Sequence, residues 1–307
     1  MKLNGIHHIT AITGDAQANL DFYTRVLGLR MVKKSVNQDD PTVYHLFYGD
    51  EHAKPGLDLT FFEYPGAPLG RAGEGMIHRI VWRVGSPAAL DFWAARLADE
   101  GIETERDGER LRFRDPEGLQ HELGIFDVPD EPLIAEHPEV PAEHALQGFH
   151  GVRAYGSDPE RSRYLLEQGM GFSPTGDGWE TRGPSRGGEY AYDAPPAERG
   201  LQGAGTVHHI AWGSTDEEHP AWRAQIRTHG GHPTEVIDRH YFRSIYFREP
   251  SGVLFELATP SPGFTIDEPL ETLGEKLSIP PFLESRRADI EAAVKPLEYR
   301  RAVSGKN

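Results

Sequence analysis

Cysteine is absent from this 307-residue chain, which excludes disulfides, thiolate metal sites and cysteine nucleophiles. Any metal must sit on His, Asp or Glu, a donor set suited to iron(II), manganese(II) or zinc and unlike sulfur-rich structural zinc sites. Basic residues are in deficit: 32 Lys and Arg stand against 48 Asp and Glu, a formal charge of −16. Such a chain repels a phosphate backbone, and no compact basic patch offsets it, so nucleic acid is not an expected partner. Long apolar runs are missing as well. No stretch approaches the ~18 residues of a membrane-spanning helix, and the opening MKLNGIHHIT passes straight into a strand-like pattern without a basic and apolar leader. The expectation is a soluble cytoplasmic protein with no membrane partner, long enough for two domains of ordinary size.

What the chain does have is internal repetition. Four segments open alike: GIHHITAIT from Gly5, MIHRIVWRV from Met76, GFHGVRAYG from Gly148 and TVHHIAWGS from Thr206. Each places a histidine after an apolar residue, at His7, His78, His150 and His208. An amphipathic helix follows each opening. Leu20, Tyr23, Val26 and Leu27 recur at helical spacing before Gly28, and Ser86 with Pro87 starts a helix through Leu90, Trp93 and Leu97 to Gly101. Asp158 and Pro159 begin the third, which ends at Gly169, and Trp222 and Ile226 mark the fourth before Gly230. Copies two and four also close alike, as DPEGLQHEL and EPSGVLFEL, with Glu122 and Glu256 four residues after the turn glycine. Trp82, Trp93, Trp212 and Trp222 fall at core positions of strands or helices.

Strand, helix and three strands, four times over, describe an α+β protein built from βαβββ modules. The Pro-rich acidic stretch DVPDEPLIAEHPEVPAEHA suggests a break. The expected organisation is a module pair over 1–127, a linker over 128–146, a second pair over 147–260, and an extension over 261–307 with a helix near 286–294.

This organisation resembles the vicinal oxygen chelate superfamily of glyoxalases, bleomycin resistance proteins and extradiol dioxygenases. The resemblance covers residues 5 to 260 and implies four βαβββ modules paired into two curled mixed-sheet cups. Within the superfamily the chain is most similar to dioxygenases that open hydroquinone rings. The residues carrying that match are GIHHIT, TVHHIAW, the DRHYFRSIYFREPSGVLFE run from Asp238, and SPGFTIDE after it.

Neighbouring side chains on a strand point to opposite faces, so only one of His7 and His8 faces the inside of a cup. The family pattern selects His8 and, correspondingly, His209. At the same register the other copies carry Arg79 and Gly151, neither of which binds a cation. The resemblance therefore implies a metal held by His8, His209 and Glu256, the two-histidine, one-carboxylate set of non-haem iron(II) sites, with manganese(II) as the substitute ion. Modules one and four would share that cup. Thr60, in LDLTFFEYP, occupies the fourth equivalent position and leaves the coordination sphere open.

His208, Arg239 and Tyr246 match residues lining the site in the hydroquinone-cleaving family. Arg239 would stabilise an anionic substrate or peroxide, and His208 or Tyr246 would move a proton. Thr10, two residues beyond His8 on the same strand face, would hydrogen-bond a metal-bound oxygen. His7 either joins these catalytic residues or packs behind the ligands, and His240 and Tyr241 are weaker candidates. The expected activity is iron(II)-dependent opening of a para-hydroquinone or related phenol by O2, with a small aromatic substrate as partner and self-association left open. Two rivals remain: a glyoxalase-like isomerase or lyase, for which Glu63 would supply a fourth ligand if the strand register slipped, and a metal-free binding protein.

Overall fold

A computed structural model describes residues 1–299 and residue 301. Arg300 and residues 302–307, the end of the expected extension, lie outside the described residues. Module one runs through β1 (Ile6–Thr13), α1 (Ala16–Asp21), β2 (Arg30–Val36), β3 (Tyr44–Gly49) and β4 (Asp58–Glu63). Module two comprises β5 (Ile77–Arg83), α2 (Pro87–Asp99), β6 (Glu105–Asp107), β7 (Arg110–Arg114) and β8 (Gln120–Gly124). Module three comprises β9 (Phe149–Tyr155), α3 (Glu160–Tyr164), β10 (Ser173–Pro174), β11 (Gly178–Arg182) and β12 (Gly187–Asp193). The fourth has β13 (Val207–Gly213), α4 (His219–Thr228), β14 (Ile237–Asp238), β15 (Arg243–Arg248) and β16 (Leu254–Ala258).

Local chemistry sets the helix ends. Asp15 caps α1 by accepting from the amides of Gln17 and Ala18 at 3.1 and 3.0 Å, and Ser86 accepts from Ala89 at 3.2 Å with Pro87 in the first turn of α2. Gly28 closes the first helical segment at φ 69°, a left-handed conformation that costs a side-chain-bearing residue more. Between α1 and that glycine lies a π-helical turn, Phe22–Val26, and α3 continues likewise through Leu165–Gly169. The four tryptophans expected in the core are fully buried between helices and sheets.

The strands form two eight-stranded sheets, ordered β14-β15-β16-β13-β1-β4-β3-β2 and β10-β11-β12-β9-β5-β8-β7-β6. Antiparallel seams, β1 against β13 and β5 against β9, join module one to four and module two to three. Each sheet thus draws one module from residues 1–127 and one from 147–260.

The expectation of two curled cups needs correction. The sheet of modules one and four curls into a half-barrel, whereas the sheet of modules two and three is neither closed nor strongly curled. Side chains account for the difference. On the first sheet's concave side Val32, Phe47, Ala211, Tyr241, Phe242 and Ala258 bury themselves against Phe264 and Leu273 of the C-terminal segment, so curling removes apolar area from water. On the second, Arg79, Arg110 and Arg112 gather around Glu122, and guanidinium groups that still reach water lose solvation if a sheet closes over them. Its β6 is also three residues long, where the equivalent β2 has seven. The C-terminal segment carries α5 (Arg287–Ala293), matching the expected helix. Among the described residues no helix is long and apolar enough to cross a membrane.

Candidate metal centre

The β1–β13 seam sets Thr10 opposite His209, and β15 sets Tyr246 opposite Glu256. His8, His209 and Glu256 consequently point from three strands to one spot on the concave face. His8 Nε2 and His209 Nε2 lie 3.2 and 3.0 Å from Glu256 Oε2, and 3.4 Å from each other. All three residues are buried, Glu256 completely. The two carboxylate oxygens differ: Ser244 Oγ donates to Oε1 at 2.5 Å, whereas Oε2 has no hydrogen-bond donor in suitable geometry. A buried carboxylate oxygen without a donor is costly unless a cation meets it. The spacing fits one, because donors at right angles around a metal with bonds of about 2.1 Å sit about 3 Å apart. Burial pushes the Glu256 carboxyl up, and without a metal the His8 and His209 imidazoles, when they carry a proton at Nε2, outweigh it and hold it well below the ordinary range.

Second hydrogen bonds orient the imidazoles. Thr259 C=O can only accept, so His7 Nε2, 3.1 Å away, donates to it. Burial, aided by His8, pushes His7 down to about 3, so its ring is neutral and its Nδ1 is an acceptor. His8 Nδ1, 2.9 Å from His7 Nδ1, must then carry the proton, which leaves the His8 Nε2 lone pair aimed at the centre. His209 Nδ1 lies 2.8 Å from His208 Nδ1, and His208 is exposed and does not line the cavity. His7 therefore stands behind a candidate ligand rather than in the cavity.

The cavity in front of the triad is lined by Phe47, Phe62, Arg239, Tyr241, Phe242 and Tyr246, among others. Thr10 is fully buried, its Oγ1 2.8 Å from Thr60 Oγ1. Arg239 reaches the cavity but also grips Asp39 with two bonds of 3.0 and 2.9 Å. The guanidinium of Arg239 sits 5.6 Å from the Tyr246 ring, and burial together with Glu256 raises the Tyr246 hydroxyl above its ordinary range. Of the weaker candidates, Tyr241 lines the cavity and donates to Asp267 at 3.0 Å, while His240 faces the same carboxylate. Reasoning from sequence missed Ser244, Thr259, His45 and Asp39. Strand alternation two residues before Tyr246 would have found Ser244, and nothing in the chain's pattern signals Thr259 or Asp39.

The model of the Glyoxalase/Bleomycin resistance protein/Dioxygenase superfamily matches residues 5–123 and 143–257. The chain belongs to this superfamily. Among similar proteins, "Putative ring-cleaving dioxygenase MhqA" of Bacillus subtilis (strain 168) is 41% identical over 320 residues, covering 97% of this chain and 100% of that protein. The "Chlorohydroquinone/hydroquinone 1,2-dioxygenase" of Sphingobium indicum is 33% identical over 309 residues, 94% of this chain and 95% of its own length. A crystal structure of a "putative dioxygenase" from Bacillus subtilis subsp. subtilis str. 168 superposes with a TM-score of 0.89 at 41% identity, over 98% of this chain and 99% of that one. Glyoxalase I from Zea mays, at 16% identity, a TM-score of 0.58 and coverage of 89% of this chain and 97% of its own, shares the fold.

In this superfamily member the sheet of modules two and three keeps one candidate ligand position and fills the others differently. Glu122 faces Arg79 Nη1 at 3.1 Å and Arg112 Nε at 2.7 Å, with Arg110 Nε at 3.5 Å. Its charge is met by guanidinium groups, and Gly151 offers no donor. Phe126 stands nearby, between the guanidinium of Arg110 at 4.0 Å and the His150 ring at 3.4 Å. Among the described residues, His8, His209 and Glu256 form the one cluster of three such side chains close enough to share a metal ion.

Proposed function

We propose that this chain is a non-haem iron(II)-dependent dioxygenase that opens the ring of a para-hydroquinone or related phenol with O2, with His8, His209 and Glu256 as ligands and manganese(II) as the substitute ion. The observation that carries the proposal is the Glu256 Oε2 atom without a donor in suitable geometry, 3.2 and 3.0 Å from the Nε2 atoms of His8 and His209. The likeness to relatives bearing ring-cleaving dioxygenase names supports the reaction class. A metal ion held by His8, His209 and Glu256 would supply Lewis-acid and redox chemistry toward a phenol and O2. Both oxygen atoms enter the opened product and the ring supplies all four electrons, so no external reductant is needed.

The chain's own groups do the rest. Phe62 and Phe242 form apolar walls for a flat ring and keep water away. Arg239 remains protonated and sets a fixed positive charge beside the cavity, suited to a phenolate or a reduced oxygen. Tyr246 keeps its proton and acts as a hydrogen-bond donor. His208, exposed behind His209, holds that ligand's Nδ1 from outside the cavity. His7 holds His8 in the tautomer that binds, and Thr10 orients Thr60.

Two observations weigh against a glyoxalase-like lyase. Thr60 Oγ1 is occupied by Thr10 and His45, and Glu63 turns the other way, its Oε1 accepting from Ala16 at the start of α1 at 3.2 Å. Oxygen uptake by the iron(II)-loaded protein across hydroquinones, catechols and hemithioacetals tests the proposal. One O2 consumed per hydroquinone opened is the expected result; turnover of hemithioacetals with no oxygen uptake from any phenol would replace it.

A further inference from the structure

The β3 side of the cavity carries a histidine whose second ring nitrogen has no role yet. β3 places His45 opposite Phe62 of β4, with the ring centroids 4.3 Å apart, and the Phe47 ring lies 3.9 Å from the same imidazole. His45 Nε2 sits 3.0 Å from Thr60 Oγ1, which sits 2.8 Å from Thr10 Oγ1. The ring is thus packed between two tilted aromatic rings and tethered at one nitrogen. It lines the same cavity as His8 and His209. With Nε2 committed, Nδ1 is the polar atom His45 has left to offer, and it has no protein partner among the described residues.

We propose that His45 is a specificity-determining residue: its Nδ1 hydrogen-bonds the ring hydroxyl remote from the metal, so the site selects a para-dihydroxy ring over a monophenol. The assignment rests on the function proposed above. Its geometry follows from the sheet. His45 is two strands from His8 across β4, roughly 10 Å of backbone at the usual strand spacing, and that span suits a six-membered ring with an oxygen at each end. A ring whose first oxygen lies at the triad, with Phe242 5.1 Å from His8 on one side, points its far end at the β3 wall. The partner chemistry is that of a neutral hydroxyl. Burial, aided by His8 and His209, holds the His45 imidazole well below its ordinary range, so it presents no positive charge to attract a carboxylate or sulfonate. Whichever way the Thr60 hydroxyl turns, Nδ1 becomes a donor or an acceptor, and a phenolic hydroxyl can answer either.

Anaerobic calorimetry on metal-loaded protein tests this without turnover, using 1,4-dihydroxybenzene and its shape-matched partner 4-methylphenol. Unmodified protein should bind the diphenol at least about tenfold more tightly, as a site that leaves a buried polar group unpaired rejects the analogue lacking its partner. His45→Phe should bring that preference within about twofold while metal content stays normal. His45→Asn, whose amide falls near the position of Nδ1, should restore part of it, and His45→Gln, which reaches toward Nε2 instead, should not. A His45→Phe or His45→Gln protein that keeps the full preference overturns the assignment. Metal-loaded unmodified protein that binds neither compound overturns the proposed function itself, and with it the role of His45, so the two failures are distinguishable.

Discussion

Ser244→Ala removes one oxygen atom from a fully buried position and tests how Glu256 is aimed. Ser244 Oγ lies 2.5 Å from Glu256 Oε1, and both residues are buried completely. A hydrogen bond to a charged group in such a place is worth about 1.5–3 kcal/mol. Without it the carboxylate gains rotational freedom and Oε1 loses its donor, so Oε2 is no longer held toward His8 and His209. The expected loss in metal affinity is roughly ten- to a hundredfold, the scale for groups that support metal ligands from behind. Ser244→Thr keeps the hydroxyl and should stay within about threefold. The assay is competition for iron(II) or manganese(II) against a chromophoric chelator, with circular dichroism to establish folding. An affinity for Ser244→Ala within about twofold of the unmodified protein would mean that something other than this bond orients the carboxylate.

Two further outcomes follow from charge. Arg239→Met should leave metal content unchanged and lower turnover on the best hydroquinone by on the order of a hundredfold, whereas Asp39→Asn, which removes a partner that is 73% exposed, should stay within about threefold; steady-state oxygen uptake that falls equally in both variants, or in neither, would take Arg239 out of the chemistry. Asp193 is held by two 2.8 Å bonds from Arg153 and one of 2.8 Å from His78, and these pull its carboxyl down to about 2. Because that is below the ordinary Asp value of about 3.9, the stability it contributes is fully present above about pH 4 and is lost as pH falls toward 2. Urea unfolding of Asp193→Asn should therefore lie below the unmodified protein at pH 6 and converge toward it between pH 4 and 2; a gap that stays constant across that window would contradict the assignment.

Much of this molecule was legible in the sequence because it is written four times. The repeated openings place the modules, Gly28 and Gly101 mark helix ends through their left-handed backbone, and the contrast of His8 and His209 with Arg79 and Gly151 separates the pair in which His and Glu side chains cluster from the other. Modules one and four do share a sheet, as that ligand set requires. The rest depends on contacts between elements distant in the chain. Thr259 orients His7 from 252 residues away, and Asp39 meets Arg239 across 200, through side chains that no local pattern marks. Curl was misread for the second sheet because the repeat specifies strand order and not what covers the concave face. Phe264 and Leu273, which cover the first, lie beyond the repeats. The π-helical turns after α1 and α3 escaped because one extra residue shifts a helical stripe without erasing it.

Metal stoichiometry decides whether one ion sits at His8, His209 and Glu256. After loading with iron(II) and removal of excess, the unmodified protein should carry one ion per chain. His8→Ala, His209→Ala and Glu256→Ala should carry close to none, while Glu122→Ala, stripped of a carboxylate that three guanidinium groups already occupy, should still carry one. Normal metal content in Glu256→Ala, or its loss in a folded Glu122→Ala, would contradict the account.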